Sequence, residues 1–189
     1  MAAAKRTSSV PHGVPGLGKK DAGMIAELLQ DRLNALNDLA LTLKHIHWNV
    51  VGPQFIAVHT MLDPQVDAVR LMVDDTAERI ATLGGSPSGT PGALVAARSW
   101  DDYSLGRDSA LAHLGALDLV YGGVIEAHRK AIAETEEPDP VTQDMLIEQA
   151  GQLEQFQWFV RAHLEDPSGA LATSGARTEG QAAARTRKK

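Results

Sequence analysis

Two pairs of possible metal ligands lie close together in the chain, and the members of each pair are four residues apart. One pair is His59 and Asp63, and the other is Asp74 and Glu78. Residues four apart on an α-helix project from the same face, so each pair has the spacing to chelate a metal ion. A single pair of this kind is more commonly part of a solvated helix face, and Asp75 with Glu78, three residues apart, fits equally well.

The angular positions of the four side chains make the pattern more specific. At about 100° per residue, with His59 as the origin, the other three lie at about 40°, 60° and 100°, so all four occupy one stripe. Along the axis, however, His59 and Asp74 are about 22 Å apart, and one chain cannot close both pairs on one metal. A second copy of the helix, antiparallel across a two-fold axis near residues 68–69, would place each His59–Asp63 pair opposite an Asp74–Glu78 pair.

Further histidines precede this helix, in the run Lys44-His45-Ile46-His47-Trp48-Asn49. A turn at Gly52-Pro53 would fold the second helix back on the first, so a histidine near position 47 would come alongside His59. From the residues alone, His47 is either a further ligand or a core histidine hydrogen-bonded to a neighbour. A surface position is favoured for His45.

Apolar residues recur at helical spacing along four segments, and these helices must position the candidate ligands. The predicted helices run from Ile25 to Ile46, ending near Gly52-Pro53; from Phe55 to Leu83, ending at Gly84-Gly85; from Leu111 to Ile132, ending before Pro138; and from Leu146 to Leu164, ending at Pro167. A short helix is expected at Ala93–Arg98, inside the long connection between the second and third helices. No segment alternates with period two, so no strands are predicted. The predicted fold is all-α, a four-helix bundle with up-down-down-up topology.

The net charge of −6 is distributed unevenly along the 189 residues. Residues 1–20 carry +4, residues 168–189 carry +4, and the body between them carries −14. The composition of the two ends predicts flexible basic tails over residues 1–20 and 167–189, around one bundle domain over residues 21–166. An acidic body repels phosphate, so any affinity for DNA must come from the ends.

Cysteine is absent, which excludes a disulfide scaffold, a cysteine zinc site, an iron–sulfur cluster and a thiol nucleophile. No apolar run approaches the ~18 residues that a membrane span needs, and the first residues lack the apolar stretch of a signal peptide. The expected location is the cytoplasm, without a membrane partner.

Several motifs taken together resemble the family of Dps, the DNA-binding protein from starved cells. They are the run from His47-Trp48-Asn49 to Phe55, His59 with Asp63, Asp74 through Arg79, Leu83-Gly84-Gly85, and Phe156 through Phe159 in the fourth helix. The resemblance covers roughly residues 20–166, and the combined H-W-N, H-x-x-x-D and D-x-x-x-E spacings are highly specific. Actinobacterial members are the most similar, since they share the Asp63-Pro64 step and a long basic C-terminal tail.

This resemblance implies a ferritin-like four-helix bundle that assembles into a hollow dodecamer of tetrahedral symmetry. It implies a ferroxidase that oxidises Fe(II), preferably with hydrogen peroxide, at di-iron sites across the two-fold interface and stores Fe(III) in the cavity. Carried over by position, the iron ligands are His47, His59 and Asp63 of one subunit with Asp74 and Glu78 of its partner. Trp48 would relay an electron or quench a radical, with an ordinary core or interface role as the alternative. No Glu-x-x-His motif occurs, which argues against an ordinary ferritin.

The acidic turn after the third helix lies, by the same resemblance, near a three-fold pore for iron entry. Asp139 and Asp144 are the preferred lining residues, and a merely solvated turn is the alternative. Two other functions remain open: a nucleoid-associated structural protein with only incidental iron binding, and a helical scaffold without a metal.

The resemblance also implies non-specific DNA binding, protection of DNA from oxidative damage and association with the nucleoid. Twelve copies of each end would bind multivalently and with a steep dependence on salt. Alternatively, the basic ends aid solubility or contact neighbouring subunits. The candidate DNA-binding residues are Lys5, Arg6, Lys19, Lys20, Arg177, Arg185, Arg187, Lys188 and Lys189.

Overall fold

Six helices and two short strands follow one another along residues 10–187, the part of the chain that this computed structural model describes. In chain order they are α1 (Lys19–Asn49), β1 (Val50–Val51), α2 (Phe55–Thr82), α3 (Pro91–Ala97), β2 (Asp108–Ser109), α4 (Ala110–Thr135), α5 (Pro140–Leu164) and α6 (Glu179–Thr186). The prediction of an all-α fold with four long helices and a short helix in the long connection is confirmed.

Aliphatic side chains at helical spacing form the core between the long helices. α1 packs along α2, and α4 packs along α5. Leu36, Leu43, Leu62, Leu114 and Leu153 are fully buried in one apolar cluster that all four helices share. Because burial of a leucine stabilises a fold by about 1.5–3 kcal/mol, this core fixes the axes from which the polar side chains project.

Glycine follows both helices of the N-terminal pair. Gly52 has a φ of 101° between α1 and α2, and Gly84 has a φ of 86° after α2. Glycine adopts this left-handed conformation without the steric cost that a Cβ brings. At Gly84 there is a second reason, since a Cβ would collide with the carbonyl oxygen of His12. The turn at Gly52 reverses the chain and sets the start of α2 beside the end of α1.

The expectation of no strands is wrong in one detail. β1 and β2 form a two-residue parallel pair in which Val50 lies opposite Asp108. Two residues are too few for an alternating pattern to be visible in a sequence. The pair ties the end of α1 to the start of α4, where the Ser109 side chain caps the helix by accepting a hydrogen bond from the Ala112 N–H.

The C-terminal segment differs from the flexible tail expected over residues 167–189. Residues 167–178 form turns, and α6 then lies against α4, with Ala182, Ala183 and Thr186 buried. Gly115 of α4 allows α6 to approach this closely, because a Cβ at position 115 would lie 3.0 Å from Cγ2 of Thr186. A segment rich in such small residues has the composition of a flexible tail, so the sequence does not predict that α6 packs against α4. Residues 188 and 189 lie outside the described range.

The N-terminal segment also packs from residue 10 onward. Val10 is only 8% exposed, and Val14 and Leu17 join it against the apolar cluster at the start of α1. Lys19 Nζ donates a hydrogen bond to the carbonyl oxygen of Pro11 over 3.0 Å. Residues 1–9 lie outside the described part of the chain.

Within residues 10–187, α4 is the one helix that is long and apolar enough to cross a membrane by length and composition, although no such helix is expected from the sequence. Within its most apolar window, however, 56% of the residues are buried inside the bundle. A core helix meets the same criterion, and the packing of α4 against α5 and α6 is that of a core helix.

Candidate functional site

The turn between α1 and α2 brings two of the predicted ligands into contact. His47 lies in the last turn of α1, and His59 lies in the second turn of α2. Their rings stack with the centroids 3.6 Å apart and the planes inclined by 23°. Phe55 packs against His59, with ring centroids 4.9 Å apart. The two histidines therefore form one compact unit at the end of the helix pair.

Each histidine ring is held by the backbone of the other helix. His47 Nδ1 lies 2.9 Å from the carbonyl oxygen of His59, and His59 Nδ1 lies 2.9 Å from the carbonyl oxygen of His47. A carbonyl oxygen only accepts hydrogen bonds, so each Nδ1 carries the proton and donates it. The Nε2 atom of each neutral ring then keeps its lone pair, which is the form that binds a metal ion.

Asp63 adds a carboxylate to this pair. Its Oδ1 atom lies 3.2 Å from His47 Nδ1 and 3.0 Å from Lys44 Nζ. The hydrogen bond from Lys44 lowers the pKa of Asp63, and the nearby His47 and His59 act in the same direction. The side chain is 49% exposed, so an ionised carboxylate stands beside the two imidazoles and open to the outside of the chain.

Asp74 and Glu78 do not meet these three residues within one chain. Both are exposed on the second half of α2, and the helical rise places Asp74 about 22 Å from His59. Among residues 10–187, no group of three or more histidine, aspartate or glutamate side chains is arranged to hold a metal ion. One chain therefore carries two separate halves of the candidate site, and three of its five residues are in contact.

Trp48 lies beside this cluster and faces outward. It is 71% exposed, and Lys44 Nζ lies 5.9 Å from its ring centroid. Within the described chain it is therefore not a core aromatic. Large exposed apolar side chains of this kind mark contact surfaces when they are numerous, and the others include Leu41, Ile56, Leu71, Val95, Val141, Ile147 and Trp158.

The two candidate pore residues have different surroundings. Asp139 is buried and accepts hydrogen bonds from Arg79 Nη2 over 2.6 Å and from Thr142 Oγ1 over 2.5 Å. Burial acts to raise the pKa of Asp139, but the hydrogen bonds from Thr142 and Arg79 hold it below its ordinary value. This carboxylate has two partners in its own chain, and its role as a pore-lining residue stays a prediction. Asp144 is exposed on α5.

The candidate DNA-binding bases fall into three groups. Four of them lie outside the described residues: Lys5, Arg6, Lys188 and Lys189. Lys19 and Lys20 are exposed in the first turn of α1 and not in a tail. Of the C-terminal arginines, Arg177 is exposed, Arg185 donates to the carbonyl oxygen of Ser174, and Arg187 pairs with Asp108.

Two residues that contribute here are not identified by the ligand spacing. Lys44 precedes His47 by three residues and Trp48 by four, which puts it on their face of α1, so the signal for it is present in the sequence. Arg79 is 60 residues from Asp139, and no local pattern links the two.

Comparison with known proteins agrees with this architecture. A family model described as a ferritin-like domain matches residues 26–169. A solved structure from Streptomyces coelicolor, DpsA14, superposes with a TM-score of 0.86 at 63% identity, covering 87% of this chain and 98% of that one. The fold is therefore that of the ferritin-like class.

Curated relatives narrow the class to a family. The DNA protection during starvation protein of Mycolicibacterium smegmatis is 60% identical over 176 residues, which are 93% of this chain and 96% of that protein. The fine tangled pili major subunit of Haemophilus ducreyi is 54% identical over 158 residues, 84% of each chain. The chain belongs to the Dps family, the DNA protection during starvation proteins, and the resemblance drawn from its motifs is confirmed.

Proposed function

We propose that this protein is a ferroxidase and iron store, which oxidises Fe(II), preferably with hydrogen peroxide, at sites shared by two-fold-related subunits of a hollow dodecamer. The observation that carries the proposal is the pair of crossed hydrogen bonds at His47 and His59. These bonds place the proton of each ring on Nδ1 and leave the Nε2 lone pairs available, while the Asp63 carboxylate lies 3.2 Å from His47 Nδ1. A histidine that serves only the core needs no such exposed carboxylate next to it.

The missing half of each site would come from a second subunit. A two-fold axis between residues 68 and 69 would place Asp63 opposite Asp74, and His59 opposite Glu78. The same axis would place Asp67 opposite Arg70, and both are exposed on α2, so the paired helices would be complementary in charge. The exposed apolar side chains, Leu71 at 66% among them, supply contact area for such an interface.

The proposed ligands suit iron in both oxidation states. Imidazole suits Fe(II), whereas carboxylates favour and bridge Fe(III). In the proposed reaction two Fe(II) ions each give one electron to hydrogen peroxide, the O–O bond breaks, and two protons are taken up to form two molecules of water. Both electrons are delivered at one site, so no hydroxyl radical leaves it. The Fe(III) product would then hydrolyse to an oxyhydroxide inside the shell.

Loss of the histidine half of the site tests this proposal. In a stopped-flow absorbance assay, His59→Ala with Asp63→Ala is expected to abolish fast peroxide-driven iron oxidation while the assembly stays intact by size-exclusion chromatography. A control pair, His163→Ala with Asp101→Ala, changes the same residue types on exposed positions away from the proposed ligands and should oxidise iron normally. Unchanged rates in the first variant would refute the site assignment.

A mixing experiment tests whether the site is shared. One variant carries His59→Ala with Asp63→Ala, and the other carries Asp74→Ala with Glu78→Ala. If each site takes its halves from two chains, refolding the inactive variants together restores intact sites at the mixed interfaces, and activity returns. No recovery in mixed oligomers of normal size would contradict a shared site.

DNA binding is the second proposed activity, and its support is the charge of the two ends and the name of the M. smegmatis relative. The protein would then act on the nucleoid in the cytoplasm. Removal of residues 177–189 deletes five bases and one acid and should weaken retention of DNA in a gel shift at low salt. Undiminished retention would exclude this segment as the main determinant. The alternative, a structural nucleoid protein with incidental iron binding, requires that His59→Ala with Asp63→Ala has no effect on iron oxidation.

A further inference from the structure

A tyrosine and a histidine form a hydrogen-bonded pair near the candidate iron site without being part of it. The Tyr103 hydroxyl lies 3.0 Å from Nδ1 of His113, and the two rings stack with centroids 6.1 Å apart. His113 is fully buried. Neither residue has a role in the iron oxidation described above.

The direction of this hydrogen bond follows from the state of the histidine. Burial lowers the pKa of His113, so the ring is neutral at neutral pH and has one acceptor nitrogen. Burial also raises the pKa of Tyr103, so the phenol keeps its proton. The backbone carbonyl groups of Asn49 and Gly106 also act on the ring and favour a proton on it. With that proton on Nε2, the hydroxyl of Tyr103 donates to Nδ1.

His45, which precedes His47 by two residues on α1, contacts this pair. His45 packs edge-on against Tyr103 with ring centroids 5.8 Å apart, and its Nε2 atom is held 2.8 Å from the carbonyl oxygen of Leu105. Trp48 is three residues further along α1 and so lies on the same face as His45. It is also adjacent in sequence to His47. Tyr103 thus packs against the same end of α1 that carries His47 and Trp48.

The chain contains a second tyrosine that serves as an internal comparison. The Tyr121 hydroxyl donates to Oε1 of Gln65 over 2.7 Å, and the residue is fully buried. An amide oxygen accepts a hydrogen bond but is far too weak a base to take the proton. A phenol that loses an electron must also lose its proton, so of the two tyrosines only Tyr103 has a base in place.

We propose that Tyr103 is a redox-active residue that supplies one electron when hydrogen peroxide meets a site holding a single Fe(II) ion, and passes its proton to His113. This inference rests on the proposed iron oxidation. With one iron the peroxide still needs a second electron. Fe(II), hydrogen peroxide, the phenol and the imidazole then give Fe(III), two hydroxide ions, a neutral tyrosyl radical and an imidazolium ion. The O–O bond and the phenolic O–H bond break, and no hydroxyl radical is released.

The test uses the full assembly loaded with less than one Fe(II) per site, mixed with excess hydrogen peroxide and freeze-quenched for electron paramagnetic resonance. A tyrosyl signal is expected, which narrows when the protein contains ring-deuterated tyrosine. Tyr103→Phe should remove this signal, and Tyr121→Phe should retain it. His113→Gln keeps a hydrogen-bonding side chain but removes the base, and it should also abolish the signal although Tyr103 is present.

The outcomes separate this inference from the function on which it rests. If the wild-type protein fails to oxidise Fe(II) with peroxide, the proposed function itself is refuted. If it oxidises Fe(II) but no tyrosyl signal forms, or if the signal persists in Tyr103→Phe, the inference is overturned while the ferroxidase proposal stands. Circular dichroism and size-exclusion chromatography of each variant establish that the loss of signal is not a loss of fold.

Discussion

The contact between His47 and His59 and the contact between α6 and α4 hold their parts of the chain in different ways. At the first, two rings twelve residues apart exchange hydrogen bonds with each other's backbone. At the second, the buried side chains are alanine and threonine, seated over Gly115. Directional bonds define the first contact, and shape alone defines the centre of the second.

This difference determines how much of the molecule depends on each contact. The histidine pair lies where two core helices are joined, so its geometry is supported by the leucine core on both sides. α6 buries only small side chains, and it is held at its ends by the hydrogen bonds that Glu179 accepts from Ser104 and by the ion pair of Arg187 with Asp108. We therefore expect α6 to detach without unfolding the bundle, whereas the histidine pair changes only with its helices.

Gly115→Leu is the strongest way to break the second contact. A Cβ at this position would already lie 3.0 Å from Thr186 Cγ2 and 3.2 Å from Thr173 Cγ2, so a leucine cannot fit beneath α6. We expect α6 to leave α4, and amide hydrogen exchange of residues 179–186 to become fast, while α1 and α2 keep their protection. Iron oxidation should be unaffected.

Gly123→Leu is the matched control for this variant. It makes the same change on the same helix at a position where a Cβ meets no atom within 4 Å. Protection of residues 179–186 should therefore match that of the wild-type protein. If Gly115→Leu also left this protection intact, α6 would be held by something other than close packing, and the contrast between the two regions would fail.

Asp139→Asn tests whether the charge of Asp139 stabilises the fold through Arg79 or serves iron entry through a pore. Asp139 is 6% exposed, and removal of one partner from a buried ion pair costs about 3 kcal/mol because the other charge is left unpaired. The urea midpoint should fall accordingly. Asp144→Asn, on an exposed position, should change stability by less than about 0.5 kcal/mol. An unchanged midpoint with slow iron uptake in Asp139→Asn would instead support the pore role.

The same pair predicts a dependence on pH. The native pKa of Asp139 lies below its ordinary value, so the folded state favours the carboxylate more than the unfolded state does. This contribution is complete above the unfolded pKa of about 3.9 and is lost as the pH falls through the lower native pKa. The difference in stability between the wild-type protein and Asp139→Asn should narrow only below about pH 4. A difference that narrowed near neutral pH would contradict this assignment.

The spacing of residues along the sequence predicts the long helices and the contact between His47 and His59. The long helices follow from the apolar period, and the meeting of His47 with His59 follows from the turn at Gly52-Pro53. The packing of α6 against α4 depends on Gly115 and Thr186. These residues are distant in sequence and too small to form an apolar pattern that would predict a buried face. The pairing of Arg79 with Asp139 likewise depends on how two helices come together, so the acidic run does not reveal that Asp139 belongs to a buried ion pair.

Lys44→Gln should have a smaller effect, and it tests the other region, the histidine pair with Asp63. Lys44 holds Asp63 at 3.0 Å, so an incoming Fe(II) ion must displace its ammonium group from the carboxylate. Exposed ion pairs are weak, so removing this competition should raise the affinity by about fivefold at most. We expect Lys44→Gln to bind Co(II), a stand-in for Fe(II) that peroxide does not readily oxidise, up to about fivefold more tightly in a spectroscopic titration.

Ionic strength and a second lysine identify the cause of that gain. Salt screens an exposed ion pair, so the difference between Lys44→Gln and the wild-type protein should shrink as salt is added. Lys130→Gln removes a lysine from an exposed pair with Glu134 and should not change Co(II) binding. Weaker binding in Lys44→Gln would mean that the lysine positions Asp63 for the metal and does not compete with it. In that case the carboxylate, unlike the two imidazoles held by backbone carbonyls, would depend on a side chain that the ligand spacing does not reveal.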